Sequence, residues 1–419
     1  MILNVLIFLV GLAIYAGYGW AGLAYLAAAV VLTWGAGLLI PKHKWVMWVS
    51  VILNAAMLVA VKLQPVLGWQ LLSVFGLSYF SLQIISYNVD IYKGKYAPER
   101  NLFRYAFYVT YIPHLFIGPI ERYDVMAPRI QNRRMSWEGI ADGAARACWG
   151  LVKKFVIAAR AGAIIATISG DTAQYNGGFA LMAMLLYSVQ LYADFSGGID
   201  MVLGLSRMLG LRMSENFNTP YFSQSVQEFW NRWHMTLGAW LKNYVYIPLG
   251  GNRKGKIRKV LNLIITFLVS GLWHGVQYLL WGLFNGIFVA FGKKLQTKWK
   301  FVNQLGTFLA ITFLWAFFVW PDAMTAVKMA GSVFTTFNYG AVAKAFLDLG
   351  LGLGEWIVFA VAAAALWIHD IYRESILEKF RGLRPAGKAT VICALGLAVL
   401  VFGMYGIGFN AEAFIYSRF

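Results

Sequence analysis

Residues 260–291 read VLNLIITFLVSGLWHGVQYLLWGLFNGIFVAF, a stretch with no acidic residue, lysine or arginine. Basic clusters at residues 253–259 and 293–300 flank it on both sides. Because a helix needs only about 20 residues to cross the hydrocarbon core of a bilayer, an uncharged stretch of this length can turn back within the membrane. We therefore predict two short helices that meet near residues 271–275, with both basic flanks on one side.

The composition of the whole chain agrees with this stretch. Of the 419 residues, 60% are hydrophobic and 13% are charged, whereas an ordinary soluble domain has roughly 25% charged residues. A water-soluble globule is therefore excluded. Since apolar runs recur from end to end, we expect one membrane-embedded domain over residues 1–419.

The basic residues are distributed as they are in membrane proteins. The net charge is +18, but lysine and arginine fall in short clusters between apolar runs, as the positive-inside rule describes for cytosolic loops. This pattern argues against nucleic acid as a partner. The two cysteines, Cys148 and Cys393, lie in apolar stretches and indicate neither a disulfide framework nor a metal site.

The apolar runs predict an all-α polytopic membrane protein with roughly ten or eleven transmembrane elements. The predicted spans are residues 2–15, 23–40, 45–61, 69–86, 155–169, 179–195, 301–320, 355–368 and 389–408, besides the hairpin. Residues 105–118 are short and interrupted by Pro113, so we expect a re-entrant or interfacial element there. The loop charges predict a cytosolic amino terminus and an extracytoplasmic carboxyl terminus. No charged residue precedes Lys42, so we expect the first span to remain in the mature protein.

Residues 225–242 have helical periodicity. Phe229, Trp233, Leu237 and Trp240 recur at spacings of four, four and three. This pattern is typical of a helix that lies in the membrane interface.

Histidines are the first candidates for chemistry, since ionisable residues within a membrane are costly and are often functional. His274, in the middle of the predicted hairpin, has the side chain best suited to remove a proton from a hydroxyl near neutral pH. It could equally be a buried histidine bonded to a carbonyl. His234 could orient a substrate carbonyl or thioester, but from the residues alone a place at the headgroup level is favoured.

Carboxylates offer a similar choice. Asp194 could hold His234 or Arg232 in place, or Asp194 or Ser196 could cap a helix; the structural role is favoured. Glu121 and Arg122 are expected to form a structural ion pair.

Two further segments could bind or carry a substrate. Residues 246–256 read YIPLGGNRKGK, a glycine-rich basic loop suited to the phosphates of a pantetheine arm or, more simply, to lipid headgroups. The chain ends in FIYSRF at residues 414–419. Tyr416 there could act as a nucleophile once deprotonated, although an aromatic tail at the membrane surface is the simpler interpretation.

Several segments together resemble the membrane-bound O-acyltransferase family, especially its bacterial alginate O-acetyltransferase-like branch. The matching segments, in family order, are residues 83–92, 118–123, 192–201, 215–221, 229–241, 244–253 and 271–275, which cover roughly residues 75–290. Residues 414–419 are also similar to the aromatic carboxyl-terminal motif of bacterial members, with Ser417 and Arg418 in place of Phe and Gln.

The resemblance implies roles for particular residues. His274 would be the catalytic histidine and His234 the second functional one. The residues that would bind substrate or support the site are Trp273, Trp233, Arg232, Asp194, Asn252 and Arg253. Tyr416 would be a possible relay for the acyl group.

The resemblance also implies a function. Helices around a central channel would let an acyl group, most simply acetyl, pass from a cytosolic thioester to a hydroxyl outside, for modification of a cell-surface polysaccharide. The donor would be acyl-CoA or a phosphopantetheinyl carrier protein, and no cofactor would be permanently bound. The expected partner is an extracytoplasmic SGNH-type esterase-like protein, and the expected location is the bacterial cell membrane.

Two other functions stay open. The chain is also similar to the teichoic acid D-alanyl transfer protein, which takes its acyl group from a small carrier protein. Outside the enzymes, a permease for a polymer precursor or lipid is conceivable, but the sequence has none of the internal repeats that many transporters contain.

Overall fold

The computed structural model describes residues 2–69 and 74–405. Within those ranges the chain forms 21 α-helices and no β-strand, with a single isolated antiparallel bridge between Phe217 and Trp233. The predicted all-α class is confirmed.

The helices follow one another in three groups. The first group is α1 (Ile2–Gly17), α2 (Trp20–Leu39), α3 (Trp45–Leu67), α4 (Leu77–Tyr92), α5 (Leu102–Thr110), α6 (Ile112–Phe116) and α7 (Tyr123–Gln131). The second is α8 (Trp137–Leu151), α9 (Ala159–Gly170), α10 (Gly178–Met208), α11 (Val226–Arg232), α12 (Met235–Leu241), α13 (Gly255–His274) and α14 (Leu279–Phe291). The third is α15 (Lys300–Leu314), α16 (Ala316–Val319), α17 (Ala323–Thr335), α18 (Tyr339–Ala345), α19 (Leu353–Ile371), α20 (Arg373–Gly382) and α21 (Pro385–Phe402).

Seven helical segments of the described chain are long and apolar enough to cross a membrane. They are α2, α3, α10, α13, residues 300–319, α19 and α21. The protein is therefore a multi-pass membrane protein, as predicted. The spans predicted at residues 2–15 and 155–169 correspond to shorter helices, α1 with 16 residues and α9 with 12. The span predicted at residues 69–86 is shifted, because α4 has 16 residues and begins at Leu77, and part of the predicted span lies outside the described residues.

Two helices that meet near residues 271–275 are present as predicted, but α13 is not short, because its 20 residues are enough to cross a membrane. The position of their turn within the membrane stays a prediction. Helices α13 and α14 are joined by a single 3₁₀ turn at Val276–Tyr278 and pack closely along their length. Gly282 makes this packing possible, because a Cβ there would lie 2.4 Å from the carbonyl oxygen of Phe267. Both open ends of the hairpin therefore lie at the same side, next to the two basic clusters.

Helix α10 is the longest element. Its 31 residues extend about 46 Å at 1.5 Å per residue, so both ends project beyond a hydrocarbon core of about 30 Å. Glycines bring α8 against it. A Cβ at Gly150 would lie 2.5 Å from the carbonyl oxygen of Gly197, and one at Gly204 would lie 2.5 Å from that of Gly143.

The span predicted at residues 155–169 begins earlier than expected. Helix α8 continues through a π-helix at Val152–Ala158 into α9, so the helical segment starts at Trp137. The predicted boundary was set by Lys153 and Lys154, yet both ammonium groups pair with carboxylates of α10, Lys153 with Asp200 and Lys154 with Asp194. Because these charges are neutralised inside the fold, the helix has no need to end before them.

The interfacial helix predicted at residues 225–242 is wrong. The segment forms two short helices, α11 and α12, that break at Trp233 and His234. Its aromatic face is covered by protein, because Phe229, Trp233, Leu237 and Trp240 are all buried. The hydrophobic periodicity was real, but the partner of that face is the protein interior and not lipid.

Residues 102–116 form the broken element expected there. Helix α5 ends at Thr110, α6 starts at Ile112, and Pro113 occupies the first turn of α6. Most of the residues are buried, including Tyr105, Tyr108 and Leu115. The break between the two helices is therefore enclosed by protein, as irregular backbone must be wherever it lies within a membrane.

Candidate active site

A small cavity of about 60 Å³ lies between α10, the α11–α12 break and the α13–α14 hairpin. Phe195, near the middle of α10, is part of its wall, so the cavity lies at mid-depth of that helix. Its wall is mostly aromatic and includes Trp230, Trp233, Trp281, Trp315 and Phe318. The two polar rings in the wall are those of His234 and His274.

His274 is the last residue of α13 and is partly exposed. Its ring lies 4.7 Å from that of Trp273, 5.6 Å from Trp281 and 5.8 Å from Phe318, measured between ring centroids. Gly275 follows with φ of 149°, a conformation that side-chain-bearing residues rarely adopt. This glycine lets the chain turn immediately after the histidine, which leaves the imidazole at the end of a rigid helix.

His234 joins α11 to α12 with a left-handed backbone, φ 46° and ψ 51°. Apart from glycines, Thr219 is the other residue with positive φ in the described chain. Such a conformation costs on the order of 1–3 kcal/mol and persists only when neighbours enforce it. Here the Met235 amide donates to the Asn216 carbonyl at 3.0 Å, and the Asn218 amide donates to the Arg232 carbonyl at 2.9 Å. Strain of this kind is common at functional sites.

The side chain of Asn216 fixes the tautomer of His234. The Asn216 Oδ1 atom accepts from the Thr236 amide at 3.0 Å and from the Thr236 hydroxyl at 2.9 Å, so the atom must be the oxygen. His234 Nδ1 lies 3.3 Å from the same atom and therefore donates to it. The lone pair of the neutral ring is then on Nε2, which is buried and has no hydrogen-bond partner in the described part of the chain.

Burial also sets the charge of His234. Desolvation lowers the pKa of His234 to about 3, since a buried imidazolium is unfavourable without a nearby carboxylate. The ring is therefore neutral near neutral pH. A neutral ring with Nε2 unprotonated can accept a hydrogen bond or a proton from a molecule in the cavity.

Trp273 connects the two histidines. Its ring lies 6.0 Å from that of His234 and 4.7 Å from that of His274, and its Nε1 donates to the Ser78 carbonyl at 3.0 Å. The structure thus brings His234, His274, Trp273 and Trp233 together. Whether these residues act in catalysis stays a prediction.

Arg232 and Asp194 have other partners. Arg232 pairs with Glu228 at 2.7 Å and donates to Thr219 at 3.3 Å. Asp194 forms an ion pair with Lys154. The alternative that Asp194 or Ser196 caps a helix is wrong, because both residues lie in the middle of α10.

The remaining predicted residues are elsewhere. Asn252 and Arg253 are exposed in the loop before α13, at the opposite end of that 20-residue helix from His274, about 30 Å away at 1.5 Å per residue. Asn262 holds the loop by donating to the Gly251 carbonyl at 2.9 Å. Tyr416 lies outside the described residues.

The predicted ion pair between Glu121 and Arg122 is also wrong. Arg122 pairs with Asp124. Buried Glu121 accepts from the amide and hydroxyl of Ser214 and pairs with Arg129 at 3.3 Å. The carboxylate thus ties the start of α7 to the segment that leads to Asn216.

Asn216 and Thr236 are the site residues that the sequence analysis missed. Asn216 belongs to a segment, residues 215–221, whose overall pattern was noted without assigning it a role. An amide side chain between an acidic residue and an aromatic one was the available signal. No group of three histidine, cysteine, aspartate or glutamate side chains within residues 2–69 and 74–405 comes together as around a metal ion.

Fold and site together define a multi-pass helical membrane protein with two histidines on one aromatic cavity. The model of the membrane-bound O-acyltransferase family matches residues 95–336, which is more than half of the chain. The chain therefore belongs to the membrane-bound O-acyltransferase family and is an acyltransferase.

Curated relatives carry more specific names. The chain is 36% identical to the probable alginate O-acetylase AlgI of Pseudomonas syringae pv. tomato, over 81% of this chain and 66% of that protein. It is 34% identical to the peptidoglycan O-acetyltransferase of Helicobacter pylori, over 60% of this chain and 55% of that protein. It is 29% identical to the teichoic acid D-alanyltransferase of Streptococcus thermophilus, over 62% of this chain and 67% of that protein. This chain thus spans just under two thirds of the alginate relative.

Proposed function

We propose that this protein transfers an acetyl group from a cytosolic thioester to a hydroxyl on the far side of the membrane, for O-acetylation of a cell-surface polysaccharide. The observation that carries the proposal is the pair of histidines, His234 and His274, on one cavity at mid-depth of α10. The names of the alginate and peptidoglycan relatives support the choice of substrate.

The two histidines divide the work in this proposal. His274 removes the proton from the attacking hydroxyl, whose oxygen forms a bond to the thioester carbonyl carbon. The carbon–sulfur bond then breaks, and the thiolate leaves with a proton returned from the His274 imidazolium. The unprotonated Nε2 of His234 accepts a hydrogen bond and orients the substrate. The surrounding rings exclude water, which limits wasteful hydrolysis of the thioester.

The cavity favours a small uncharged acyl group. Its volume is about 60 Å³, and one water molecule takes up roughly 10–15 Å³ by the same kind of measure, so only a few heavy atoms fit. No described residue in its wall is acidic. The ammonium group of a D-alanyl ester would have no carboxylate to pair with, and an unpaired buried charge is costly. These two features rank acetyl transfer above D-alanyl transfer.

The donor, the partner and the orientation complete the proposal. The thioester is acyl-CoA or a phosphopantetheinyl carrier protein, and the basic loop that holds Asn252 and Arg253 lies on its side of the membrane. Tyr416 or an extracytoplasmic SGNH-type protein receives the acyl group outside. The protein lies in the bacterial inner membrane with a cytosolic amino terminus and an extracytoplasmic carboxyl terminus.

The test uses the bacterium that carries the chain. Its gene is deleted and replaced by the wild type, by His274→Ala, or by His43→Ala, an exposed histidine in a loop. Base-labile acetate on the isolated surface polysaccharide is then measured. We expect wild type and His43→Ala to restore acetate, and His274→Ala to give at least about 100-fold less, as loss of a general base implies.

Membrane levels of each variant are compared by immunoblot, so that a loss of protein is not taken for a loss of activity. Normal acetate with His274→Ala would end the proposal. Normal acetate in the deletion strain, together with lost D-alanine esters, would replace it by D-alanyl transfer.

A further inference from the structure

A second cavity, about 1000 Å³ in volume, lies between α8, α10 and the carboxyl-terminal helices α19, α20 and α21. We call it the lateral chamber. The proposed reaction does not use it. Aromatic rings separate it from the histidines: Phe217 lines the chamber, and its ring lies 5.0 Å from that of Trp233, which lines the histidine cavity.

One wall of the lateral chamber is aliphatic. It is formed by Leu203 of α10, Ile368 of α19, Leu377 of α20, and Val391 and Leu395 of α21. Helix α21 is almost entirely unburied within the protein. Since that helix is apolar beyond its first two turns, its outer face is suited to contact with lipid, which would place this wall of the chamber next to the bilayer.

Several basic side chains of the lateral chamber are already neutralised. Arg146 pairs with Asp200 at 2.8 Å and with Glu215 at 2.7 Å. Lys153 also pairs with Asp200, at 2.7 Å. Arg373 pairs with Glu215 at 3.1 Å. These groups form a structural network, and little of their charge remains for a ligand.

Three other basic residues of the chamber have no such partner. Arg207, Arg212 and Lys388 line it, and among the described residues none of them has a carboxylate within ion-pair distance. They come from three places, the end of α10, the loop after it and the first turn of α21. Three acidic residues line the chamber outside this network. Asp142 pairs with Arg381 at 3.6 Å, and Asp370 accepts a hydrogen bond from Tyr192 at 2.6 Å. Glu138 is exposed to solvent at the start of α8.

We propose that the lateral chamber binds a phosphate-bearing amphiphile, with its phosphate held by Arg207, Arg212 and Lys388 and its apolar part along the α20–α21 wall. Arginine and lysine bind phosphate oxygens through charge-assisted hydrogen bonds. Two sources share this chemistry, an anionic phospholipid from the bilayer and a soluble phosphate ester such as acetyl-CoA. The aliphatic wall beside the membrane favours the phospholipid.

The experiment uses the full-length protein in nanodiscs that contain equal amounts of phosphatidylcholine and phosphatidylglycerol. Native mass spectrometry counts the lipids retained by the protein. We expect the wild type to retain phosphatidylglycerol in preference to phosphatidylcholine. The variant R207Q/R212Q/K388Q should lose this preference by at least about tenfold, since each basic group near a phosphate contributes to binding.

A matched control removes the same number of positive charges at positions outside the chamber. R258Q/K379Q/R384Q also replaces two arginines and one lysine, all exposed and outside the lining, and should retain the lipid as the wild type does. R207K/R212K keeps the charges and should also retain it, which provides a second comparison if the triple variant is unstable. Equal loss in both triple variants would overturn the proposal, because bulk charge would then explain the binding.

A second arm distinguishes the two sources. Acetyl-CoA is titrated into the same samples in nanodiscs of phosphatidylcholine alone. If acetyl-CoA binding depends on the three residues and phosphatidylglycerol is not selectively retained, the chamber binds the soluble phosphate ester. If the binding of neither ligand depends on the three residues, the proposal is overturned. Both readouts measure binding alone, so their failure leaves the test of acetyl transfer at His274 unaffected.

Discussion

His234 illustrates how much of the site depends on single contacts. Its ring points into a shared cavity only because residues 216–218 hold the break between α11 and α12 in a left-handed turn. Asn216 contributes twice, with its backbone carbonyl to Met235 and with its side chain to Nδ1 of His234. We therefore treat Asn216 as a positioning residue for the histidine.

Asn216→Asp should change the pH dependence of acyl transfer. A carboxylate beside Nδ1 favours the imidazolium, so the pKa of His234 should rise from its burial-lowered value of about 3. If the neutral ring is the active form, activity is lost as pH falls through that pKa. The acidic limb of the pH–rate profile should therefore move to higher pH, by about one unit or more.

Asn218→Asp is the matched control, since Asn218 is exposed in the same segment and donates through its backbone. Its pH profile should match that of the wild type. An unchanged acidic limb in Asn216→Asp would show that His234 does not need to be neutral.

The sequence predicted part of this arrangement. His274 and Trp273 are neighbours in the chain and at the turn of a predicted hairpin, so their proximity followed directly. The contact of Asn216 with His234 could not be predicted, because it joins residues 18 positions apart through an isolated bridge and a left-handed turn. Hydrophobic periodicity carries no information on either feature.

At the scale of elements, α8 packs closely against α10. Gly150 of α8 meets Gly197 of α10, and Gly143 meets Gly204. Small residues of this kind let membrane helices approach each other without a hydrophobic driving force. The contact also aligns the ion pairs that Lys153 and Lys154 make with α10.

Gly150→Ala should destabilise the protein. The added Cβ would lie 2.5 Å from the Gly197 carbonyl oxygen and 2.9 Å from the backbone nitrogen of Met201, so the helices must separate. Overpacking of this kind costs typically 1–3 kcal/mol, and the temperature of unfolding in detergent should fall.

Gly306→Ala in α15 is the comparison, because nothing lies within 4 Å of a Cβ there. It should leave the unfolding temperature unchanged or raise it slightly, since alanine is the better helix former. Equal unfolding temperatures for Gly150→Ala and wild type would mean that the two helices tolerate a wider spacing.

Hydropathy predicted the elements well where one helix crosses the membrane alone. Helices α2 and α19 agree with the predicted spans within three residues at each end. It failed at residues 225–242, because an aromatic face looks the same whether it meets lipid or protein. Hydropathy also failed at Lys153, because a sequence does not reveal whether a lysine is paired inside the fold, as here with Asp200, or solvated by water.

For the whole molecule, the orientation in the membrane decides which substrate reaches which side. The basic clusters at residues 253–259 and 293–300 lie at the two open ends of the α13–α14 hairpin and so share one face. Together with the basic stretch at residues 373–388, they support the proposed cytosolic face.

Single cysteines test this orientation in a background that lacks Cys148 and Cys393. Lys298→Cys should react with a membrane-impermeant maleimide only after the inner face is opened. Gln174→Cys, in the exposed loop between α9 and α10, should react in intact cells. Labelling of both positions from the same side would contradict the proposed topology.

The most direct test of acyl transfer across the membrane uses purified protein in sealed proteoliposomes of known orientation. Radiolabelled acetyl-CoA is supplied only to the face with the basic loops, and alginate oligosaccharides are enclosed on the other face, where water can also accept the group. We predict that label is released or transferred on the side opposite the donor, and that His274→Ala abolishes this while His43→Ala does not. Label that stays on the donor side, or transfer that survives in His274→Ala, would contradict the central role of the histidine cavity.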